Sequence, residues 1–504
     1  MLIWFLPLFL LFLAIGLPVF FGLLAAPGLL LWLADQPRDI TLLYRNVYNG
    51  MDSFPLMAIP FFMLAGELMN KGGITSRLVE FSQALMGHLR GGLAHVNILS
   101  SMLFAGLSGS AVADTSALGS MLIPAMEKQG YTRKFAAAVT AASSVIGPII
   151  PPSGIMIIYA YVMGESVAAL FMAGIVPGVM VGVGLMLVVK MLANRYDLPK
   201  AERIVHKGQT ISKSEYWFSL ILLRLNLGWV VYAVFTGALG MGASTDGTGD
   251  ATATEPWILW TTFAVSVVAV HFFLIAMRGR IDPDFRMVTK RAVVPLQTPI
   301  LILGGILLGV FTPTEAAAVA VFYSLIIGFF VLRTLSVNEV PGILKRAALT
   351  SAVVLLLVGA AMAFKTVVSL SYAPQILAEF ILSLSENPLI LLFLINILLF
   401  IVGMFLDAGP AIIILGPILG PIFVEMGVDS IHFAIIMSVN LTVGLATPPM
   451  GLVLFVASSV SGERVETIAK AILPFLAVEV LVIFLITYFP VFSMTIPRLA
   501  GFAD

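Results

Sequence analysis

The chain has 504 residues, 60% of them hydrophobic and 11% charged, with equal numbers of basic and acidic side chains and a mean hydropathy of +1.06. The charge balance offers no basic face for nucleic acid, and the absence of cysteine excludes a disulfide framework or a thiol metal site. Apolar runs of about 20 residues recur from end to end, which predicts an all-α polytopic membrane protein, since a transmembrane β-barrel would alternate in short segments.

The first segment, MLIWFLPLFLLFLAIGLPVF, lacks a basic start and a small-residue cleavage site and reads as a membrane helix rather than a removed signal. Segments 93–107 and 111–126 are short and separated by LSGSAVAD, so they predict a re-entrant hairpin (93–126) with its tip near the membrane midplane. A helix over 135–163 follows, interrupted at SSVIGPIIPPSG (143–154), where adjacent prolines remove two N–H donors and leave carbonyls without helical partners. Residues 196–290 then read as an inserted pair of transmembrane helices. Basic flanks (Lys190 to Lys213, Arg278 to Arg291) enclose two apolar stretches, and an acidic loop at 240–256 lies between them. Arg224 and Asn226 fall inside the first of these helices, where a mid-membrane arginine needs a protein partner. Beyond them, segments 389–405 and 411–424 form a second hairpin (389–424) with its tip at MFLDAGPA, and a second interrupted helix spans 431–460 around NLTVGLATPPMG.

Sliding the chain by 297 residues without a gap superposes Gly106 on Gly403, Gly147 on Gly444, Pro151 and Pro152 on Pro448 and Pro449, and Pro177 on Pro474. Two repeats, 1–195 and 291–504, therefore flank the insertion. The loop EKQGYTRK (127–134) carries three basic residues and its mate VEMGVDSIH (424–432) none, so the repeats point opposite ways across the membrane. The remaining basic clusters fall on the cytoplasmic side, and an even number of inserted spans leaves the second repeat's orientation unchanged.

Bare carbonyls and hydroxyls without sulfur or imidazole suit a hard cation. The residues suggest two sodium sites related by the pseudo-twofold axis. The first combines Ser108, Gly109 and Ser110 with Gly147, Ile150 and Pro151; the second combines Gly403, Leu406 and Asp407 with Gly444, Ala446 and Thr447. Half-helix N-termini at the tips offer partial positive charge to an anionic substrate, with Ser108, Ser110, Asp114, Ser153, Asp407 and Thr447 as candidate contacts. Asp114 and Asp407 each read as a helix cap or an ion ligand, and its apex position favours Asp407 for ligation. Glu67 and Glu315 read as scaffold groups, Lys365 as a snorkelling or paired lysine, and His95 and His432 as residues near the membrane edges. An intramembrane protease is the rival class, because Gly106 to Gly109 matches G-x-S-G. No second-half histidine stands at mid-helix as a base, however, and mirrored Gly-Pro-Pro breaks are left without a purpose.

The stretch from GLSGSAVADTSALGS to SSVIGPIIPPSG, with IPFFMLAGELMNKGGI (59–74), GVFTPTEAAAVAVFY (309–323) and GMFLDAGPAIIILGPIL (403–419), closely resembles the large membrane subunit of TRAP transporters, the DctM family. The resemblance covers 1–195 and 291–504. It implies sodium-driven uptake of an organic acid by an elevator motion in the bacterial inner membrane, with sodium as the coupling ion and no organic cofactor. It also implies two partners, a small four-helix membrane subunit and a periplasmic solute-binding protein that delivers the carboxylate. Family members usually join their halves by a short basic linker, so 196–290 is a departure. The added hairpin keeps a stand-alone sodium/carboxylate symporter open as the alternative, and its place between scaffold segments predicts a peripheral position.

Overall fold

The computed structural model describes residues 4–33, 37–199, 211–238, 256–370 and 387–502, with isolated positions between 370 and 387; the acidic loop 240–256 falls almost wholly outside them. All regular structure among the described residues is helical. In chain order the helices are α1 (Phe5–Ala14), α2 (Val19–Leu33), α3 (Pro37–Met51), α4 (Ala58–Lys71), α5 (Ile74–Met86), α6 (Gly92–Ser108) and α7 (Ala111–Lys128). Next come α8 (Arg133–Ser144), α9 (Gly154–Met163), α10 (Val167–Leu192), α11 (Lys213–Ala238), α12 (Pro256–Met277), α13 (Pro283–Leu307), α14 (Pro313–Ile326) and α15 (Val340–Leu370). The last are α16 (Pro388–Phe405), α17 (Ala408–Glu425), α18 (Ser430–Gly444), α19 (Leu452–Ser461), α20 (Val465–Tyr488) and α21 (Val491–Leu499).

Sequence sets these boundaries locally. Asp282, Thr312 and Asn387 cap helices that begin with proline, the residue whose missing N–H costs nothing at a first turn. Thr312 and Glu315 complete a reciprocal capping box, which accounts for Glu315 as a structural group. Eight described helices are long and apolar enough to cross a membrane, and nine spans result if the pair Leu43–Met51 and Pro55–Lys71, bent by 60°, counts as one. The helices α6, α9, α18 and α19 are apolar but too short to cross alone. They fall at the first expected hairpin and at the two interrupted helices, whereas both helices of the second expected hairpin, α16 and α17, are among the eight long enough to cross.

Element boundaries repeat at the 297-residue spacing. Helix α6 ends at Ser108 and α16 at Phe405, α7 begins at Ala111 and α17 at Ala408, and α8 begins at Arg133 and α18 at Ser430. The peptide bonds Pro151-Pro152 and Pro448-Pro449 are both cis. Helices of the two halves exchange partners, with α9 packing on α17, α19 on α7 and α20 on α8. Each hairpin is pinned to its own interrupted helix by buried polar contacts. Asn97 donates to Thr140 at 2.6 Å and Ser101 to Ser143 at 2.9 Å in the first half, and Asn440 donates to Asn396 at 2.6 Å in the second. These pairs meet across helix interfaces, where small polar side chains add directional contacts that lipid-like packing lacks.

Around this body the long α15 packs on α2, α3 and α4, while α14 packs on α4 and α13. Glu67 of α4 pairs with Arg346 of α15 at 2.9 Å, a scaffold contact. The inserted helices α11 and α12 pack on each other, and α11 packs on α13. Arg224 donates from Nε to His271 on α12 at 2.8 Å, and Asn226 donates to Gln297 on α13 at 2.6 Å, so both polar residues inside α11 have partners on neighbouring helices.

Candidate ion and substrate site

A cavity of about 530 Å³ lies where the two hairpin tips meet the two helix breaks. Its lining includes Gly109 to Val112 at the first tip, Asp407 to Pro410 at the second, Pro148, Gly154 and Ile155 at the first break, and Leu445 at the second. The opposite wall comes from Ile59 and Met63 on α4 and from Leu349, Thr350 and Val353 on α15. This wall was not anticipated from sequence, where only the hydroxyl of Thr350 within an apolar run marks it. Three helices start at the cavity: α7 at Ala111, α9 at Gly154 and α17 at Ala408. Their first-turn N–H groups have no helical carbonyl to bond, and the aligned peptide dipoles place partial positive charge there.

At the first tip α6 ends in Gly109, whose φ of +61° turns the chain through the left-handed region, and Ser110 caps α7 by accepting from Ala113 at 3.4 Å. A side chain on Gly109 would lie 2.7 Å from the Pro152 carbonyl, so tip and break are in close contact only because this residue is glycine. Asp114 sits one turn inside α7 and is fully buried. Ser108 donates to its Oδ1, while Oδ2 has no hydrogen-bond partner among the described residues and points at Gly147, where an added Cβ would fall 2.3 Å away. Asp114 therefore lies between the tip and the first break. No described backbone N–H donates to the carbonyls of Gly147, Ile150 or Pro151, and Ser153 closes the break by donating to Pro148 at 2.5 Å and capping α9. Ser108, Gly109, Ser110, Gly147, Ile150 and Pro151 thus belong to one neighbourhood.

The second tip differs. Asp407 caps α17 by accepting from Ala408 at 2.8 Å, and it is exposed to the cavity instead of buried behind it. Leu406 ends α16 in an extended conformation, with its N–H on Val402 at 2.9 Å. Gly403 and Gly444 touch backbone to backbone, since a Cβ on Gly444 would lie 2.6 Å from the Gly403 carbonyl carbon. The second break satisfies much of its own backbone: the carbonyls of Gly444, Leu445 and Thr447 accept from Thr447, Val453 and Gly451 at 2.9, 3.0 and 3.1 Å. The Thr447 hydroxyl donates to Val443 at 2.8 Å, and Ala446 is buried.

Of the candidate substrate contacts, Ser110 and Asp407 line the cavity, whereas Ser108, Asp114, Ser153 and Thr447 stand behind its surface. Lys365 donates to the carbonyl of Val162 at the end of α9. His432 lies in a buried cluster with Ser493 at 2.7 Å and Thr487 at 3.3 Å, and His95 is buried at the start of α6; neither lines the cavity. Among the described residues no group of three or more His, Asp or Glu side chains is positioned to hold a metal ion.

A family model described as tripartite ATP-independent periplasmic transporter, DctM component, matches residues 6–492. The chain is 37% identical to the uncharacterized protein YgiK of Salmonella typhimurium, over 97% of this chain and 96% of that one. It is 34% identical to the sialic acid TRAP transporter large permease protein SiaM of Vibrio cholerae, over 96% and 95% of the two chains. Among solved structures it is similar in fold to the YdaH transporter of Alcanivorax borkumensis, with a TM-score of 0.54, 18% identity, and coverage of 94% of this chain and 90% of that one.

Proposed function

The chain belongs to the DctM-component family of tripartite ATP-independent periplasmic transporters, a multi-pass membrane permease subunit and not an enzyme, and we propose that it imports an organic acid by coupling to sodium. The carrying observation is the convergence of three helix N-termini and both hairpin tips on one cavity. A carboxylate there accepts hydrogen bonds from the first turns of α7, α9 and α17 without a buried basic partner. In this reading one sodium ion is held at the first tip by Ser108, Gly109, Ser110 and the carbonyls of Gly147, Ile150 and Pro151. The unpartnered Oδ2 of Asp114 joins them. A second ion sits with Gly403, Leu406, Asp407, Gly444, Ala446 and Thr447. Sodium at Asp407 offsets the one carboxylate that faces the substrate, which makes ion binding a condition for acid binding.

The two repeats are taken as inverted, in the bacterial inner membrane. The repeated boundaries and exchanged packing support treating the hairpins and interrupted helices as one body that slides against α4 and α15. The cavity wall made by those two helices is then where body and scaffold part. The tripartite family supplies the expected partners, a small four-helix membrane subunit and a periplasmic binding protein that delivers the carboxylate.

The test is uptake of labelled sialic acid and of a C4-dicarboxylate into proteoliposomes containing the full chain and its small subunit, with cognate binding protein outside. Uptake is expected with an inward sodium gradient and without ATP. Equal uptake in potassium buffer free of sodium would reject the coupling. Full uptake by the chain alone would favour the stand-alone symporter.

A further inference from the structure

A second cavity of about 330 Å³ lies between the inserted helices and α13, and neither hairpin tip reaches it. Four cationic side chains line it: Arg224 from α11, Arg278 just beyond α12, and Arg286 and Lys290 from α13. None of the four takes part in an ion pair among the described residues. Among the described residues no acidic side chain lines the cavity, and the acids nearby make these contacts. Glu215 is buried against Arg77 of α5, Glu80 of α5 pairs with Arg291, and Asp282 caps α13 through the N–H of Asp284. Arg286 donates to the Arg278 carbonyl at 2.8 Å, Lys290 stands 4.2 Å over the Tyr216 ring, and Arg224 reaches back one turn to the Leu220 carbonyl at 2.8 Å. These contacts fix the stems and leave guanidinium and ammonium donors unspent.

The rest of the lining is apolar, with Leu220, Leu227 and Leu274 among its residues. It adjoins helix faces that expose Ile221 (52%), Phe272 (65%) and Ile275 (50%), as expected where acyl chains cover protein. A basic head region merging into an apolar wall fits an amphiphile better than a small ion. Four cations in a lining that holds no acid also fit an anionic head better than a zwitterionic one, whose ammonium would meet only like charge there. We propose that this cavity binds an anionic phospholipid of the leaflet at the basic end of the inserted hairpin. The phosphate is held by Arg278, Arg286 and Lys290, with Arg224 beneath it, and the acyl chains lie along α11 and α12. The lipid bridges the hairpin to α13.

Full-length protein, delipidated in neutral detergent, would be titrated with phosphatidylglycerol, cardiolipin, phosphatidylcholine or inorganic phosphate, reading bound lipid by native mass spectrometry and stability by thermal shift. The two anionic lipids should bind and stabilise, whereas phosphatidylcholine and inorganic phosphate should do neither. The triple variant Arg278→Gln, Arg286→Gln, Lys290→Gln should bind phosphatidylglycerol weaker by on the order of a hundredfold. Removing three exposed charges elsewhere (Lys128→Gln, Lys134→Gln, Lys345→Gln) should leave binding unchanged. Equal binding of phosphatidylcholine, an equal shift from inorganic phosphate alone, or undiminished binding by the first triple variant would each overturn the assignment. Should that variant not fold, the wild-type comparison of lipid classes still decides it.

Discussion

Replacing Gly147 by alanine isolates the role of Asp114. Gly147 lies outside the left-handed region, so alanine is tolerated by its backbone, and the perturbation is steric. The new methyl would stand 2.3 Å from Asp114 Oδ2 and 3.2 Å from the Ser144 carbonyl. Ordinary carbon–oxygen contact begins near 3.4 Å, so the carboxylate has to retreat by about 1 Å or the break has to shift. Overpacking of this kind costs about 1–3 kcal/mol. If that cost falls on the ion-loaded state, where Oδ2 must hold its position, sodium affinity drops by roughly 5- to 150-fold.

The assay is the sodium concentration that half-maximally raises thermal stability in detergent, compared with the sodium dependence of uptake in liposomes. Asp114→Asn is the companion, preserving shape while removing the charge, and it should weaken sodium dependence at least as much. A folded Gly147→Ala protein with the sodium titration of the wild type would refute the reasoning. Asp114 would then be a structural tie between Ser108 and the break, with no part in ion binding.

Asp407→Ala should raise the half-saturating sodium concentration for uptake, and it also removes a helix cap worth about 1 kcal/mol; an unchanged sodium titration would take the second tip out of the ion path. Glu479 is fully buried in α20 and neither carboxylate oxygen has a described partner, so Glu479→Met should stabilise the protein by about 1–3 kcal/mol while sparing uptake. Loss of uptake in a stable Glu479→Met protein would instead make the carboxyl functional. Asn226 and Gln297 should show a coupling of about 0.6 kcal/mol in a double-mutant unfolding cycle, since their hydrogen bond fastens the inserted hairpin; additive effects would show that packing alone holds it. Replacing 200–285 by a short basic linker should leave sodium titrations of the folded protein unchanged, because neither α11 nor α12 lines the cavity between the tips. A folded, inserted variant that no longer responds to sodium would place the hairpin in the transport path.

The helix ends were legible because helix breakers act locally: Gly109, Ser110 and the Pro151-Pro152 pair end or begin helices whatever surrounds them. Over 93–126, where the sequence predicts a hairpin, two helices stand, α6 and α7, and α17 starts at Ala408, three residues before its anticipated start. Which polar groups face the cavity was not legible. The phase of a helix restarted after a break depends on how the break packs, so Asp407 points into the cavity while Asp114 points at a glycine 33 positions away in sequence. The helical period cannot report that contact. For the same reason Arg224 showed only that a partner was needed. Its actual surroundings, His271 and three further cations, depend on how α11, α12 and α13 pair.

The two halves place their charge differently within one framework. At the repeat spacing, the cap Ser110 corresponds to the cap Asp407, and the buried Asp114 corresponds to Ala411. The first half therefore keeps a neutral hydroxyl at the apex and its carboxylate one turn behind, beside a break with unused carbonyls. The second half has its carboxylate at the apex, beside a break whose carbonyls are largely bonded to their own N–H groups. A cation at the first position would shed its water and be enclosed, whereas one at the second would remain in contact with the cavity and with anything bound there. Equal affinities at the two positions would therefore be unexpected. In the proposed coupling, an ion at the exposed position would exchange with each substrate molecule, and one at the enclosed position would fasten tip and break before substrate arrives.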